Sequence, residues 1–136
     1  MNVLVGDLET SDSNVNSLSV LEVSFCLYDD RFREIGTPFH ESARIRSTCV
    51  PSLGACLTNG IKPDKLRGAN NSSFDLVCKL YNRLQEWKEF CTIGQNFIQF
   101  DHEALVRLFQ RSLLPDIWYL KKLPRRMMDT LFLARA

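Results

Sequence analysis

What this chain has little of narrows its reading first. Its five cysteines, Cys26, Cys49, Cys56, Cys78 and Cys91, form an odd set with no Cys-x-x-Cys pair, which argues against a zinc site and against a complete disulfide framework. They read as intracellular thiols, mostly buried. No run approaches the roughly 18 apolar residues of a membrane span, and no charged-then-apolar leader opens the chain. The expectation is a soluble, unexported protein with no membrane partner, cytoplasmic, with a nuclear location left open. A formal net charge of +1 gives no global pull toward a polyanion, so nucleic-acid binding has to come from local patches or from metals. Internal repeats and low-complexity tracts are absent, and 136 residues make one domain at most.

What is present begins with Val3-Leu4-Val5-Gly6-Asp7-Leu8-Glu9-Thr10. An apolar run ending in Asp-x-Glu puts two carboxylates on one face of a strand and turns Leu8 the other way, into a core. Two acids side by side tolerate their repulsion when a cation sits between them, which makes a divalent metal the first candidate. Alone, the pattern is common, and its weight depends on the rest of the chain.

Ser11 to Ser19 is polar and reads as a loop placed to close over whatever the carboxylates bind. The spacing from Leu18 to Tyr28 predicts a strand, Asp29-Asp30 a turn, and Phe32 to about Phe39 a third strand, together an antiparallel meander. Glu41 to Asn71 is broken by Pro51, Gly54, Gly60, Pro63 and Gly68; Thr58-Asn59-Gly60-Ile61-Lys62-Pro63 reads as a turn followed by a short helix. Ser72-Ser73 caps an amphipathic helix with Phe74, Val77, Cys78, Tyr81 and Leu84 at helical spacing, ending near Phe90. Cys91 to Gly94 is a brief buried strand. Asp101 heads a helix whose Ala104, Leu105, Leu108 and Phe109 form the apolar face, with Arg107 and Arg111 outside and Pro115 marking its end. Arg125 to Thr130 leads into Leu131 to Ala134 as a strand end running into a new helix. The resulting order predicts a mixed α/β layer fold with its site at the strand ends, where Asp7, Glu9 and Asp101 meet.

Four segments, Asp7-Leu8-Glu9-Thr10, Leu57-Thr58-Asn59-Gly60-Ile61, Gly94-Gln95-Asn96-Phe97-Ile98-Gln99-Phe100-Asp101 and Asp129-Thr130-Leu131, resemble the DnaQ-like (DEDD) 3′-to-5′ exonucleases in type and order. In motif spacing they are closest to bacterial exonuclease I. The resemblance covers essentially the whole chain and implies an RNase H-like α/β fold, a mixed sheet with antiparallel first strands and flanking helices, truncated at its C-terminal side. Residues 1–136 would be the N-terminal, incomplete part of an exonuclease domain.

The resemblance further implies hydrolysis of phosphodiester bonds from the 3′ end of single-stranded nucleic acid, DNA before RNA, with two Mg²⁺ or Mn²⁺ ions. Asp7, Glu9 and Asp101 would be both the catalytic residues and the metal ligands, with Thr10, Asn96, Thr58 and Ile61 binding substrate. Asp129 falls in a segment that usually supports the site and is read as such, not as the fourth ligand. The family's third motif lies downstream of Asp129 and is missing, so a general base and a fourth carboxylate are expected beyond Ala136, and the isolated chain is expected to be weak or inactive. His102 reads as an exposed helix residue and His40 as a strand-edge residue. Arg44, Arg46, Lys62, Lys65 and Arg67, and the run Lys121-Lys122-Leu123-Pro124-Arg125-Arg126, read as solvated faces before they read as phosphate contacts. Alternatives to the single-stranded DNA exonuclease are an RNA 3′ exonuclease and a non-catalytic relative that binds nucleic acid or a protein.

Overall fold

The structure, a computed structural model, describes residues 1–60, 68–87, 89–112 and 127–130. Five strands form one mixed sheet: β1 (Asn2–Thr10), β2 (Val20–Tyr28), β3 (Phe39–Ser42), β4 (Phe90–Gly94) and β5 (Met127–Asp129), in spatial order β3-β2-β1-β4-β5. β1, β2 and β3 are the antiparallel meander; β4 and β5 run parallel to β1. The helices are α1 (Leu53–Asn59), α2 (Ser73–Trp87) and α3 (His102–Arg111), the last preceded by a π-helical turn at Phe97–Asp101.

Alternation along β1 and β2 explains the layers. Leu4 and Leu8 on β1 and Val23, Phe25 and Leu27 on β2 are buried and join Leu76, Val77, Leu80 and Leu84 of α2 and Ala104, Leu105, Leu108 and Phe109 of α3 in one core. Residues between them in sequence face the other side of the sheet, where Val5 and Met128 remain 43% and 45% exposed. The cysteines follow from this. All five are half-buried rather than buried, because Cys26 and Cys91 occupy strand positions alternating with core residues.

Two expected elements differ in place. The third strand does not run from Phe32 but begins at Phe39, because Asp29 winds the preceding segment into a loop: its carboxylate accepts the N–H groups of Arg31 and Arg33, each at 2.9 Å, and the Arg33 side chain at 3.0 Å. A short helix lies before Gly60; the one expected after it falls on residues 61–67, outside the described residues. Ser52 caps the start of α1, accepting the Ala55 N–H at 3.0 Å, and Gly60 ends it at φ 63, a left-handed conformation that glycine adopts freely. In α2 a capping box holds the first turn, with Ser72 Oγ accepting the Asp75 N–H at 3.1 Å and Asp75 accepting the Ser72 N–H at 2.9 Å. Its buried stripe runs through Leu76 and Leu80, leaving Phe74 54% exposed, and it ends at Trp87, so Phe90 starts β4.

Trp87 turns its edge onto the ring of Phe25, centroids 6.4 Å apart at 81°. Phe25 in turn lies across Gly6, its cross-strand partner. A Cβ at Gly6 would overlap the Phe25 ring, so the residue before Asp7 has to be glycine for α2 to sit down on the sheet. Gly6→Ala should therefore destabilise the protein by about 1–3 kcal/mol through overpacking, measured by urea unfolding. Adding Phe25→Leu should restore part of the loss; strictly additive losses would refute the contact as the cause.

Candidate active site

The site grows from a mismatch in strand lengths. β1 pairs with β2 along its whole length but with β4 only over Asn2 to Val5, since β4 ends at Gly94. The second half of β1, carrying Asp7 and Glu9, is thus left with an unpaired edge. Main-chain groups there still need partners, and the Asp101 carboxyl comes up to the Leu8 backbone, which favours its ionised form. Asp7 and Glu9 lie near enough to raise its pKa.

Asp101 gets there through a short, constrained path. After β4 the chain turns at Asn96, whose φ is 53 and whose N–H is accepted by Asp129 Oδ1 at 2.8 Å. The π-helical turn follows, closed by Phe100 N–H donating to the Asn96 carbonyl at 3.2 Å. Asp101 has helical backbone angles and makes no capping bond to α3, because its carboxylate is used across the gap on β1. It is 5% exposed, and Asp129 behind it is 3% exposed.

On the other side of β1 the register to β2 slips between Glu9 and Thr10, leaving Leu21 as the extra residue of a bulge. Such bulges re-aim side chains near sites. The register sets Glu22 opposite Glu9, and Glu22 in turn pairs with His40 on the edge strand β3. The alternation Glu22, Ser24, Cys26 against Val23, Phe25, Leu27 carries the signal that Glu22 shares a face with Glu9; reading it required the hairpin register.

The charges are unbalanced. Burial, then Asp7, Glu9 and Asp129, push the Asp101 carboxyl up to about 7 from an ordinary 3.8. Burial, Asp7 and Glu22 push Glu9 up as well. Among the described residues no cationic side chain enters either balance. An all-oxygen, negatively charged donor set of this kind suits a hard divalent ion such as Mg²⁺ or Mn²⁺. As placed, no three Asp, Glu, His or Cys side chains among the described residues close round an ion, so the fit is one of charge and ligand type.

The remaining predicted residues divide. Thr10 is buried beside Glu9, and its hydroxyl donates to the Asp12 carbonyl at 2.8 Å. Asn96 is exposed at the mouth of the turn. Thr58 is exposed on the last turn of α1, and among the described residues no hydrogen bond ties it to the carboxylates. Ile61 lies outside the described residues, as do Lys62, Lys65, Arg67, Pro115 and the run from Lys121 to Arg126. His102 is not exposed but 6% accessible, with burial lowering its pKa, since α3 turns that face inward with Leu105 and Phe109. The loop after Thr10 is stitched shut at its neck: Ser11 N–H donates to the Ser19 carbonyl at 2.9 Å and Ser19 N–H to Ser11 Oγ at 2.8 Å.

No family model matches the chain, and no curated protein matches it in sequence. Solved structures do match. E. coli exonuclease I in complex with a dT13 oligonucleotide aligns at TM-score 0.87 and 21% identity, over 98% of this chain and 29% of that one. A product-bound structure of exonuclease I aligns at 0.87 and 21%, over 99% and 31%. The zinc-bound form of the E. coli exonuclease I complex with single-stranded DNA gives 0.87 and 21%, over 99% and 29%. This chain therefore has the ribonuclease H-like fold of exonuclease I, and it spans less than a third of those chains.

A buried acid that keeps its proton to about 7 leaves a signature in stability. The unfolded chain releases that proton near 3.8 and the folded one does not, so between those values the unfolded state holds fewer protons and stability falls as pH rises. In EDTA the melting temperature should decline from about pH 4 to pH 7, with Glu9 adding to the slope. Asp101→Asn should flatten that decline and melt higher than the parent at pH 8. A parent curve that is flat across the window would refute the placement of Asp101.

Proposed function

We propose that the chain is the carboxylate-bearing part of a metal-dependent 3′-to-5′ exonuclease that hydrolyses phosphodiester bonds of single-stranded DNA. The observation that carries this is the buried Asp101 carboxyl gathered with Asp7, Glu9 and Asp129, near enough for each to raise its pKa. Likeness of fold to exonuclease I supports it, as do those neighbours' complexes with an oligonucleotide, a product and a zinc ion. Activity of the whole protein, its substrate and its partners are part of the proposal.

Asp7, Glu9 and Asp101 would hold two divalent ions, which supply Lewis-acid stabilisation of the charge that develops on the scissile phosphate and the leaving oxygen. The chain's own contribution is placement. Asp7 stands exposed at the open edge of β1, where a phosphate can approach. Asp101, whose pKa is raised to about 7 by burial and the neighbouring acids, would have to be deprotonated to hold a cation, so metal binding would favour neutral to alkaline pH. Asn96, fixed in its turn by Asp129, offers an exposed amide beside the strand end. Thr10 has its hydroxyl committed to the loop.

Neither histidine is placed as a general base: His40 pairs with Glu22 and His102 is buried. Proton removal from water is the step these residues leave open. A slow reaction by this chain alone follows, since general-base catalysis contributes about 10²–10⁴-fold.

Two measurements test the reading. Saturating Mn²⁺ should raise the melting temperature through preferential binding to the folded state, and Asp7→Ala or Asp101→Ala should shrink that rise. With 3′-labelled DNA and RNA strands, Mn²⁺ should release mononucleotides, EDTA should stop it, and Asp7→Ala should lower the rate about a thousandfold. Cleavage that survives Asp7→Ala would sink the site assignment, and metal binding without any cleavage would make this a nucleic-acid-binding relative.

A further inference from the structure

Away from the carboxylates, three arginines from two separate elements gather around the loop that follows β1. Arg46 Nη2 donates to the Leu18 carbonyl at 2.9 Å. Arg111, the last residue of α3, reaches the same oxygen through Nη1 at 3.4 Å and the Asn16 carbonyl through Nη2 at 3.0 Å. Arg107 lies one turn earlier on α3, on the same side of the helix, and its buried Nε has no hydrogen-bond partner. No ion pair among the described residues joins any of the three to a carboxylate; those found involve Arg33, His40, Lys79 and Arg83.

Holding a loop carbonyl takes one guanidinium, not two, and like charges so close repel. Burial, Arg46 and Arg107 hold the Arg111 guanidinium below its ordinary value. Uncompensated positive charge that the fold assembles at this cost is what a bound anion would balance. Arg46 and Arg107 are half-buried and Arg111 is exposed, so the guanidinium edges not used on carbonyls remain within reach of a ligand. Position narrows the ligand. α3 starts beside Asp101 and has 10 residues, which at about 1.5 Å per residue puts the backbone of Arg111 roughly 15 Å along the helix from Asp101. A few nucleotides of extended single strand cover that distance.

We propose that Arg46, Arg107 and Arg111 form a phosphate-binding cluster that grips the backbone of a single-stranded nucleic acid a few nucleotides away from the carboxylate site. The proposal rests on the nuclease reading above. The cluster binds charge and not sequence, and it supplies locally the positive field that the near-neutral chain lacks as a whole. It also ties the strand to the loop whose neck is Ser11 and Ser19, next to Thr10, so that holding the backbone and positioning the end are linked through one segment.

The test is a set of anisotropy titrations in EDTA, using the full chain, a labelled dinucleotide and an oligothymidylate of about ten nucleotides, between about 50 and 200 mM salt. Arg46→Gln/Arg111→Gln should bind the longer strand about tenfold more weakly and reduce the salt slope by roughly 0.7 per arginine removed. Arg107→Gln, which breaks no hydrogen bond among the described residues, should lower the slope by about 0.7 with an unchanged melting temperature. Arg46→Lys/Arg111→Lys should keep most of the slope, and dinucleotide binding should be the same throughout. Unchanged slopes in Arg107→Gln and the double glutamine variant overturn the proposal, as does an oligothymidylate that fails to bind the unaltered chain. Either failure is separable from failure of the nuclease reading, which is decided by the Mn²⁺-dependent melting shift in these same variants.

Discussion

One unpaired edge governs this molecule. β1 outruns β4 beyond Val5, and the main-chain groups left over cannot stay buried without partners. The α3 start brings the Asp101 carboxyl up to the Leu8 backbone on that edge, so the gap left by β4 is lined by a titratable group. The π-helical turn, the positive φ of Asn96 and the Asp129 clasp all serve to deliver Asp101 to that edge. Shift β4 two residues longer and the edge would be paired, with no opening for a third acid.

The same arrangement sets folding and function against each other. Burial, then Asp7, Glu9 and Asp129, hold the Asp101 proton to about 7, and Asp7 and Glu22 raise Glu9 in the same way. A sequence chosen for stability alone would replace Asp101 with a neutral group. Arg46, Arg107 and Arg111 repeat the pattern with the opposite sign at the far end of α3. Local rules are broken at two places, and both lie on the loop and helix that flank β1.

Much of this was legible in the sequence, for reasons that individual residues make plain. The alternation through Leu4, Leu8, Val23 and Phe25 and the Ser72–Asp75 capping box are local signals, and the strands and α2 follow from them. So did the partnership of Asp7, Glu9 and Asp101, because strand ends in such sheets converge. What escaped was set by contacts distant in sequence. Phe74 looks like a core residue by spacing, yet the Phe25–Trp87 contact rotates α2 toward Leu76 and Leu80. His102 follows a helix-capping acid and looks solvated, yet α3 packs that side inward. Glu22 joins Glu9 only through the hairpin register, and the arginine cluster only through a shared carbonyl.

The sheet order also has a consequence in time. β1 and β2 are neighbours in sequence and can pair as soon as both are made, while β4 and Asp101 arrive long afterwards. Contacts of such large sequence separation are late and slow to form. On the ribosome, Asp7 and Glu9 therefore emerge and fold into a hairpin with Glu22 alongside and Asp101 still to come, and the acids of β1 and α3 meet only after α3 has cleared the exit tunnel. Their meeting is in this sense a completion signal for folding.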